Sequence, residues 1–163
     1  MKFPEAFAEG EKSEDIIEEL IQIKYPQAKR KKGYFKPWDI IVPEIDTTVE
    51  VKRDFKCQET GNLVIETFMN GNPSGLAATK ADWWVFHSEE DQLIWIKPDL
   101  IKDMILIRGF KQVEFIGIGD EISKKAYLVP KIEVINFSNK INSLKRTTEF
   151  LKKKNYERIK ISN

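Results

Sequence analysis

Two runs decide the fold: Lys36-Pro37-Trp38-Asp39-Ile40-Ile41-Val42 and, after a short connection, Thr48-Val49-Glu50-Val51-Lys52-Arg53-Asp54. They read as two apolar strands, over 34–42 and 47–54, joined by the turn Pro43 to Asp46. A strand sends residues i and i+2 to the same face. Glu50 and Lys52 therefore project side by side, with Cα atoms roughly 6–7 Å apart at the usual rise. Val51 turns the other way, into the core. Pairing of the first strand with the second adds Asp39 to the patch. Two carboxylates and an ammonium there form a holder for a divalent cation beside a phosphodiester.

Upstream, residues 10–24 read as a helix. Ser13 is its expected N-cap, Glu14 and Asp15 lie in the first turn, and Ile16, Ile17, Leu20, Ile21 and Ile23 give an apolar face. Glu14 is either a solvated first-turn acid or a contributor to the site. Lys24 to Lys36 follows with no acid in it, so the charge switches sign just before the Asp39 strand. Lys31, Lys32 and Lys36 are the expected phosphate contacts of that run, and Tyr25, Tyr34 and Phe35 lie among them.

Downstream, Gln58 to Asn62 is a turn and Leu63 to Phe68 a third strand, with Val64, Glu66 and Phe68 on one face. An acid inside that apolar run needs a reason, because a buried unpaired carboxylate is costly. A sheet edge would supply one; a role as a further ligand or water-positioning group would supply another. Asn70 to Gly75 is a dense turn signal, after which Ser74 is expected to cap a short helix through about Lys80. Helix N-termini and lysines commonly meet phosphate, which makes Ser74 and Lys80 candidate phosphate contacts, with a merely exposed lysine the plainer reading of Lys80.

Residues 82–97 read as a hairpin containing the strand Trp83 to Phe86, with His87, the sole histidine, in a structural role. Pro98 opens a helix through about Ile107. Strands are expected over 113–118 and 126–129, and a helix over 139–154. The basic face of that last helix (Lys140, Lys145, Arg146, Lys152, Lys153, Lys154) is either solvated or a second DNA-facing surface. Nothing reads as a repeat or linker, so residues 1–163 are taken as a single domain, with a core over about 10–107 and a C-terminal extension over about 108–163.

Bulk properties narrow the classes. A net charge of +1 carries no global nucleic-acid signal, so any such argument is local. The lone Cys57 excludes an internal disulfide framework, and no Cys/His cluster suggests zinc. There is no apolar run of the ~18–20 residues that a membrane span needs, and the N-terminal residues lack a signal-peptide apolar region. The expectation is a cytoplasmic protein with no membrane partner.

Pro37-Trp38-Asp39 with Glu50-Val51-Lys52 resembles the PD-(D/E)xK nuclease superfamily, which includes restriction enzymes and Holliday-junction resolvases. Here Trp38 separates the proline from the aspartate. Gly10-x-x-x-Glu14, with Ile17 and Leu20 after it, is similar to the first helix of that superfamily. Gly61 to Glu66, and Pro73 through Trp84, look like stretches of small phage-type or resolvase-like members. The resemblance covers about residues 10–88.

It implies an α/β fold: a restriction-endonuclease-like mixed sheet flanked by helices, on an αβββαβ core. It implies a DNA endonuclease using Mg²⁺, or Mn²⁺ in its place, bound by Asp39, Glu50 and the Val51 carbonyl, with Glu14 completing the site. Lys52 would orient or deprotonate the attacking water, or stabilise the pentacovalent phosphate. An ammonium flanked by two carboxylates is poorly placed to give up its proton, which favours positioning. Many such enzymes act as homodimers. The alternatives are a non-catalytic DNA-binding or assembly module on the same fold, and an RNA endonuclease.

Overall fold

The structure, a computed structural model, describes residues 3–33, 37–116 and 121–144. In chain order its elements are α1 (Phe3–Gln22), β1 (Lys29–Arg30), β2 (Ile40–Val42), β3 (Thr47–Arg53), α2 (Cys57–Thr60), β4 (Asn62–Met69), β5 (Asn72–Pro73), β6 (Trp83–Glu89), β7 (Gln92–Ile96), α3 (Pro98–Arg108), β8 (Lys111–Ile116), β9 (Ser123–Pro130), α4 (Lys131–Phe137) and β10 (Lys140–Ser143). Single 3₁₀ turns occupy Pro43–Ile45 and Gly75–Ala77.

The strands form two sheets. One has six strands in the order β1-β2-β3-β6-β7-β10, and the other four in the order β5-β4-β9-β8. The first is mixed: β3 runs parallel to β6, and its other pairings are antiparallel. The second is wholly antiparallel. The protein is thus mixed α/β with a mixed sheet and four α-helices among the described residues. No helix among them is long and apolar enough to cross a membrane.

Alternation along the strands gives the main sheet two apolar faces. Ile40, Val42, Val49, Val85 and Leu93 pack with Ile17 of α1. Trp84, Phe86, Ile94 and Ile96 pack the other way, with Leu63 and Ile65 of β4, Ile101 and Met104 of α3 and Val134 of α4. α3 runs where the sequence puts it. Pro98 occupies the first turn, and Gly109 ends the helix with φ 65° and an N–H on the Ile105 carbonyl 2.9 Å away.

Several expected elements differ. α1 starts well before residue 10, which makes Ser13 a buried mid-helix residue and not an N-cap. The third strand leaves the main sheet: β4 pairs β9 and β5, so the three successive strands of the expected core do not lie together. Alternation fixes which β4 residues face inward, but not which sheet they join. The helix expected over 74–80 is one 3₁₀ turn, and the Ser74 side chain does not cap it. Residues 140–143, expected to be helical, form β10 on the edge of β7. The Asn139 N–H bonds the Trp95 carbonyl at 3.0 Å, and the Asn139 side chain accepts the Lys97 N–H at 3.2 Å, which starts that pairing. Residues 145–154 of the expected helix, the start of the first expected strand at 34–36 and the end of the 113–118 strand lie outside the described residues. The strands beyond α3 are divided between the sheets, β8 and β9 in the second and β10 in the first.

Candidate functional site

The site begins where the β2–β3 ladder stops. β2 pairs β3 through Ile40–Val49, Ile41–Thr48 and Val42–Thr47. That register does not continue to Asp39: its N–H reaches the Val49 carbonyl, one residue out of step with Ile40–Val49, so Asp39 and Ile40 both oppose Val49 as in a β-bulge. Asp39 is buried and takes over the next rungs itself: its N–H donates to the Val49 carbonyl at 2.9 Å, and its Oδ2 accepts the Val51 N–H at 2.6 Å. A strand residue turns its N–H and C=O to the same edge. The Val51 carbonyl therefore leaves β3 on the Asp39 side. The tight return that permits this pairing comes from Pro43 in the 3₁₀ turn and Asp46 in the left-handed region, φ 46°.

Glu50 and Lys52 share the face opposite Val49 and Val51, as the alternation requires. The Lys52 Nζ lies 2.8 Å from Glu50 Oε1 and 4.6 Å from the centre of the Trp84 ring. Trp84 is the register partner of Glu50 across the parallel β3–β6 pair. Its Nε1–H donates to Thr79 Oγ1 at 3.0 Å. On the flank, the Lys31 N–H donates to the Asp39 carbonyl at 2.7 Å, and the Lys31 Nζ sits 5.2 Å from the Trp38 ring centre.

Asp39, Glu50, Val51 and Lys52 are thus brought together. Glu14 is not among them. It belongs to α1, on the sheet face away from Glu50 and Lys52, where it meets the Arg30 guanidinium at 3.1 Å. Arg30 also bonds Asp15 and Glu11, and these carboxylates raise its pKa against the lowering effect of burial, the largest single influence on it.

Glu66 lies on the face of β4 opposite the buried Leu63, Ile65 and Thr67. It accepts the Ser74 hydroxyl at 2.6 Å and sits 3.8 Å from Lys124 Nζ, which is the reason an acid stands in that strand. Ser74 has its hydroxyl committed to Glu66. Lys31, Lys32 and Lys80 are exposed, and Lys36 lies outside the described residues.

A second polar cluster closes the far end of β3. Arg53 bonds Glu9 at 2.9 Å and donates to the Ser13 hydroxyl at 2.9 Å. The Ser13 hydroxyl lies 2.8 Å from His87 Nδ1. The Ser13 oxygen has two lone pairs, so with Arg53 donating to it, it either accepts from Nδ1–H as well or donates to Nδ1, according to the His87 tautomer. The other ring nitrogen, Nε2, is buried with no hydrogen-bond partner among the described residues. Burial pushes the His87 pKa down, and the Arg53 charge acts in the same direction, against the pull of Glu90 and Glu89. Nearby, burial raises the Asp54 pKa although its carboxylate accepts the Val64 and Cys57 N–H groups. His87 is buried within β6, apart from Asp39, Glu50 and Lys52. Thr79, Trp84 and the Ser13–His87 bond carry no sequence signal, because each depends on register or on partners distant in the chain.

The donor set suits a hard cation. Mg²⁺ is commonly held by one or two carboxylates and keeps several waters. Asp39, Glu50 and the Val51 carbonyl supply oxygen donors of that kind. Among the described residues no group of three or more His, Cys, Asp and Glu converges as a metal cage, so a cation here would rest on two carboxylates and backbone. Compared with known proteins, the chain matches no family model, no curated protein and no solved structure.

Proposed function

We propose that the protein is a metal-dependent DNA endonuclease of the PD-(D/E)xK type, using Mg²⁺ with Mn²⁺ able to substitute. The observation that carries this reading is the 2.6 Å bond from the Val51 N–H to Asp39 Oδ2, which holds the Asp39 carboxylate against β3 between Glu50 and Lys52, whose own charged groups lie 2.8 Å apart. Asp39, Glu50 and the Val51 carbonyl would hold the cation. The bound cation would supply an acidified water and neutralise charge growing on the phosphate. Lys52 aims its ammonium at the attacking water and the scissile phosphate. Asp39 is held in place by the Val51 N–H, which keeps its carboxylate on the β3 edge. Lys31 and Lys32, exposed beside Asp39, draw the sugar-phosphate backbone to the site.

The test is cleavage of a panel of supercoiled, linear, single-stranded and branched DNA, with matching RNAs, in Mg²⁺ and in Mn²⁺. Wild type is expected to cut DNA. Asp39→Ala, Glu50→Ala and Lys52→Ala are each expected to lower the rate by ~10³-fold or more while DNA binding survives. A wild type that leaves every DNA intact sinks the proposal. DNA affinity without metal affinity in calorimetry would make the fold a binding module.

A further inference from the structure

We infer that Trp84, anchored by Thr79, is the positioning residue that fixes the Lys52 ammonium beside Glu50. The inference rests on the reading of Lys52 as the group that orients the attacking water. A lysine side chain is a flexible stem carrying a point charge, and nothing in a strand backbone aims its tip. Here the tip has two neighbours of different kinds. One is the Glu50 carboxylate at 2.8 Å, and the other is the Trp84 ring, whose centre is 4.6 Å away. A cation over an indole face is attracted by the ring quadrupole, most strongly among the aromatic side chains. The ring gives the ammonium a seat that persists when the Glu50 carboxylate turns to a cation.

The seat is itself fixed. Trp84 is 1% exposed and meets Phe86 at an edge, with ring centres 6.0 Å apart. Its Nε1–H ends on Thr79 Oγ1 at 3.0 Å, and the same oxygen accepts the Ala81 N–H at 3.2 Å. The Thr79 N–H is tied to the Gly75 carbonyl at 2.9 Å, and the Ser74 N–H to the Thr67 carbonyl of β4 at 2.9 Å. The Ser74 hydroxyl holds Glu66 at 2.6 Å. A chain of bonds thus runs from the second sheet, through the 3₁₀ turn, to the ring under Lys52. A tryptophan serving only as core filling needs neither the charge on its face nor the bond at its edge.

The experiment follows the Lys52 side chain by NMR in protein labelled at lysine Cε and Nζ, beside cleavage kinetics. In wild type the ring current shifts the Lys52 ε-methylene protons upfield of the other lysines. Trp84→Leu is expected to abolish that shift. Thr79→Val, which keeps the side-chain volume and removes only the acceptor, is expected to reduce it while thermal unfolding shows an intact fold. In Thr79→Val, kcat should fall about tenfold with KM for DNA and the Mg²⁺ requirement unchanged. Lys52→Ala made in the Trp84→Leu background should cost less than it does in wild type, because the ammonium it removes is no longer held in place.

An unshifted Lys52 in wild type, or one unmoved in Thr79→Val and Trp84→Leu, overturns the inference. So does a Thr79→Val enzyme that loses the shift and keeps its kcat. If wild type cuts no nucleic acid, the proposed activity falls, and the Lys52 resonance still decides whether Trp84 holds the ammonium.

Discussion

Gly75, in the 3₁₀ turn Gly75–Ala77, lies hard against the backbone of β4. Its φ is +47°, and a Cβ there would sit 2.2 Å from the Glu66 carbonyl oxygen and 2.9 Å from the carbonyl carbon, both backbone atoms that cannot swing aside. Gly71 has a φ of +75° with nothing within 4 Å of a Cβ. Gly71→Ala is therefore expected to cost only the left-handed backbone term, about 1 kcal/mol, and Gly75→Ala about 2–3 kcal/mol. Urea unfolding checks this: the midpoint should fall further for Gly75→Ala, with unchanged slopes for both. At this scale the sequence is readable where local periodicity decides. Glu50 and Lys52 share a face because a strand has a period of two, whereas Asp39 joins them through its bond to the Val51 N–H, which the period does not give. It is unreadable where the partner is remote. Glu66 stands out as an acid needing a reason, but the reason is Lys124 together with Ser74, which the turn reading takes for a cap. Glu14 looks like a ligand until Arg30, sixteen residues on, takes its carboxylate.

At the scale of elements, α1 is strapped to the ends of β3 and β6 by the bonds Glu9–Arg53, Arg53–Ser13 and Ser13–His87. The strap carries a pH dependence. His87 titrates below its ordinary value of 6.5 in the fold, because burial penalises its charged form. Between the two values the unfolded chain binds the proton more readily. The His87 contribution is thus fully present above about pH 6.5 and is lost as pH falls from there through the folded value. Asp54 has the opposite sign, since its folded pKa is raised: its contribution is present below 3.8 and fades as pH rises through the folded value. Comparing wild type with His87→Gln cancels Asp54. Wild type is expected to lose urea stability between pH 7.5 and 5.5, and His87→Gln to lose less over the same interval. Equal losses in the two proteins would show that His87 takes no part. Element identity is legible where an amphipathic period runs long, as in α1 and α3. It fails at 139–143, where a short polar segment with a single apolar residue, Ile141, is claimed by the open edge of β7. It fails again at 74–80, where Gly75 and the Glu66–Ser74 bond hold the chain to a single turn.

For the whole molecule, the question is whether two sheets make one cooperative unit. β4 and β6 belong to different sheets, yet Leu63 and Ile65 share a cluster with Trp84, Phe86, Ile94 and Ile96. That shared cluster is what the expected αβββαβ order could not foresee. The strand between β3 and β6 serves as the inner face of a second layer and closes against β9, some sixty residues downstream. Layers that bury one apolar interface should melt together, because opening either exposes the same side chains. The chain offers a test through its tryptophans. Trp83, Trp84 and Trp95 lie on β6 and β7, and Trp38 stands two residues before β2; Trp38 and Trp84 touch the shared cluster, and Trp83 and Trp95 pack on the α1 side. Ile65 is fully buried on β4, in the other sheet. Ile65→Ala should cost about 2–5 kcal/mol by leaving a cavity in the shared cluster. If the sheets are coupled, tryptophan fluorescence and far-ultraviolet circular dichroism will give one coincident urea transition in wild type. Both will move by the same amount in Ile65→Ala, although the lost methyl groups lie on the other sheet. If the second sheet melts alone, the signals will split into two transitions, the first taking the dichroism of that sheet with the Trp38 and Trp84 fluorescence and the second that of Trp83 and Trp95. The seat under Lys52 would then be independent of β4, against the bond chain from Glu66 to Trp84.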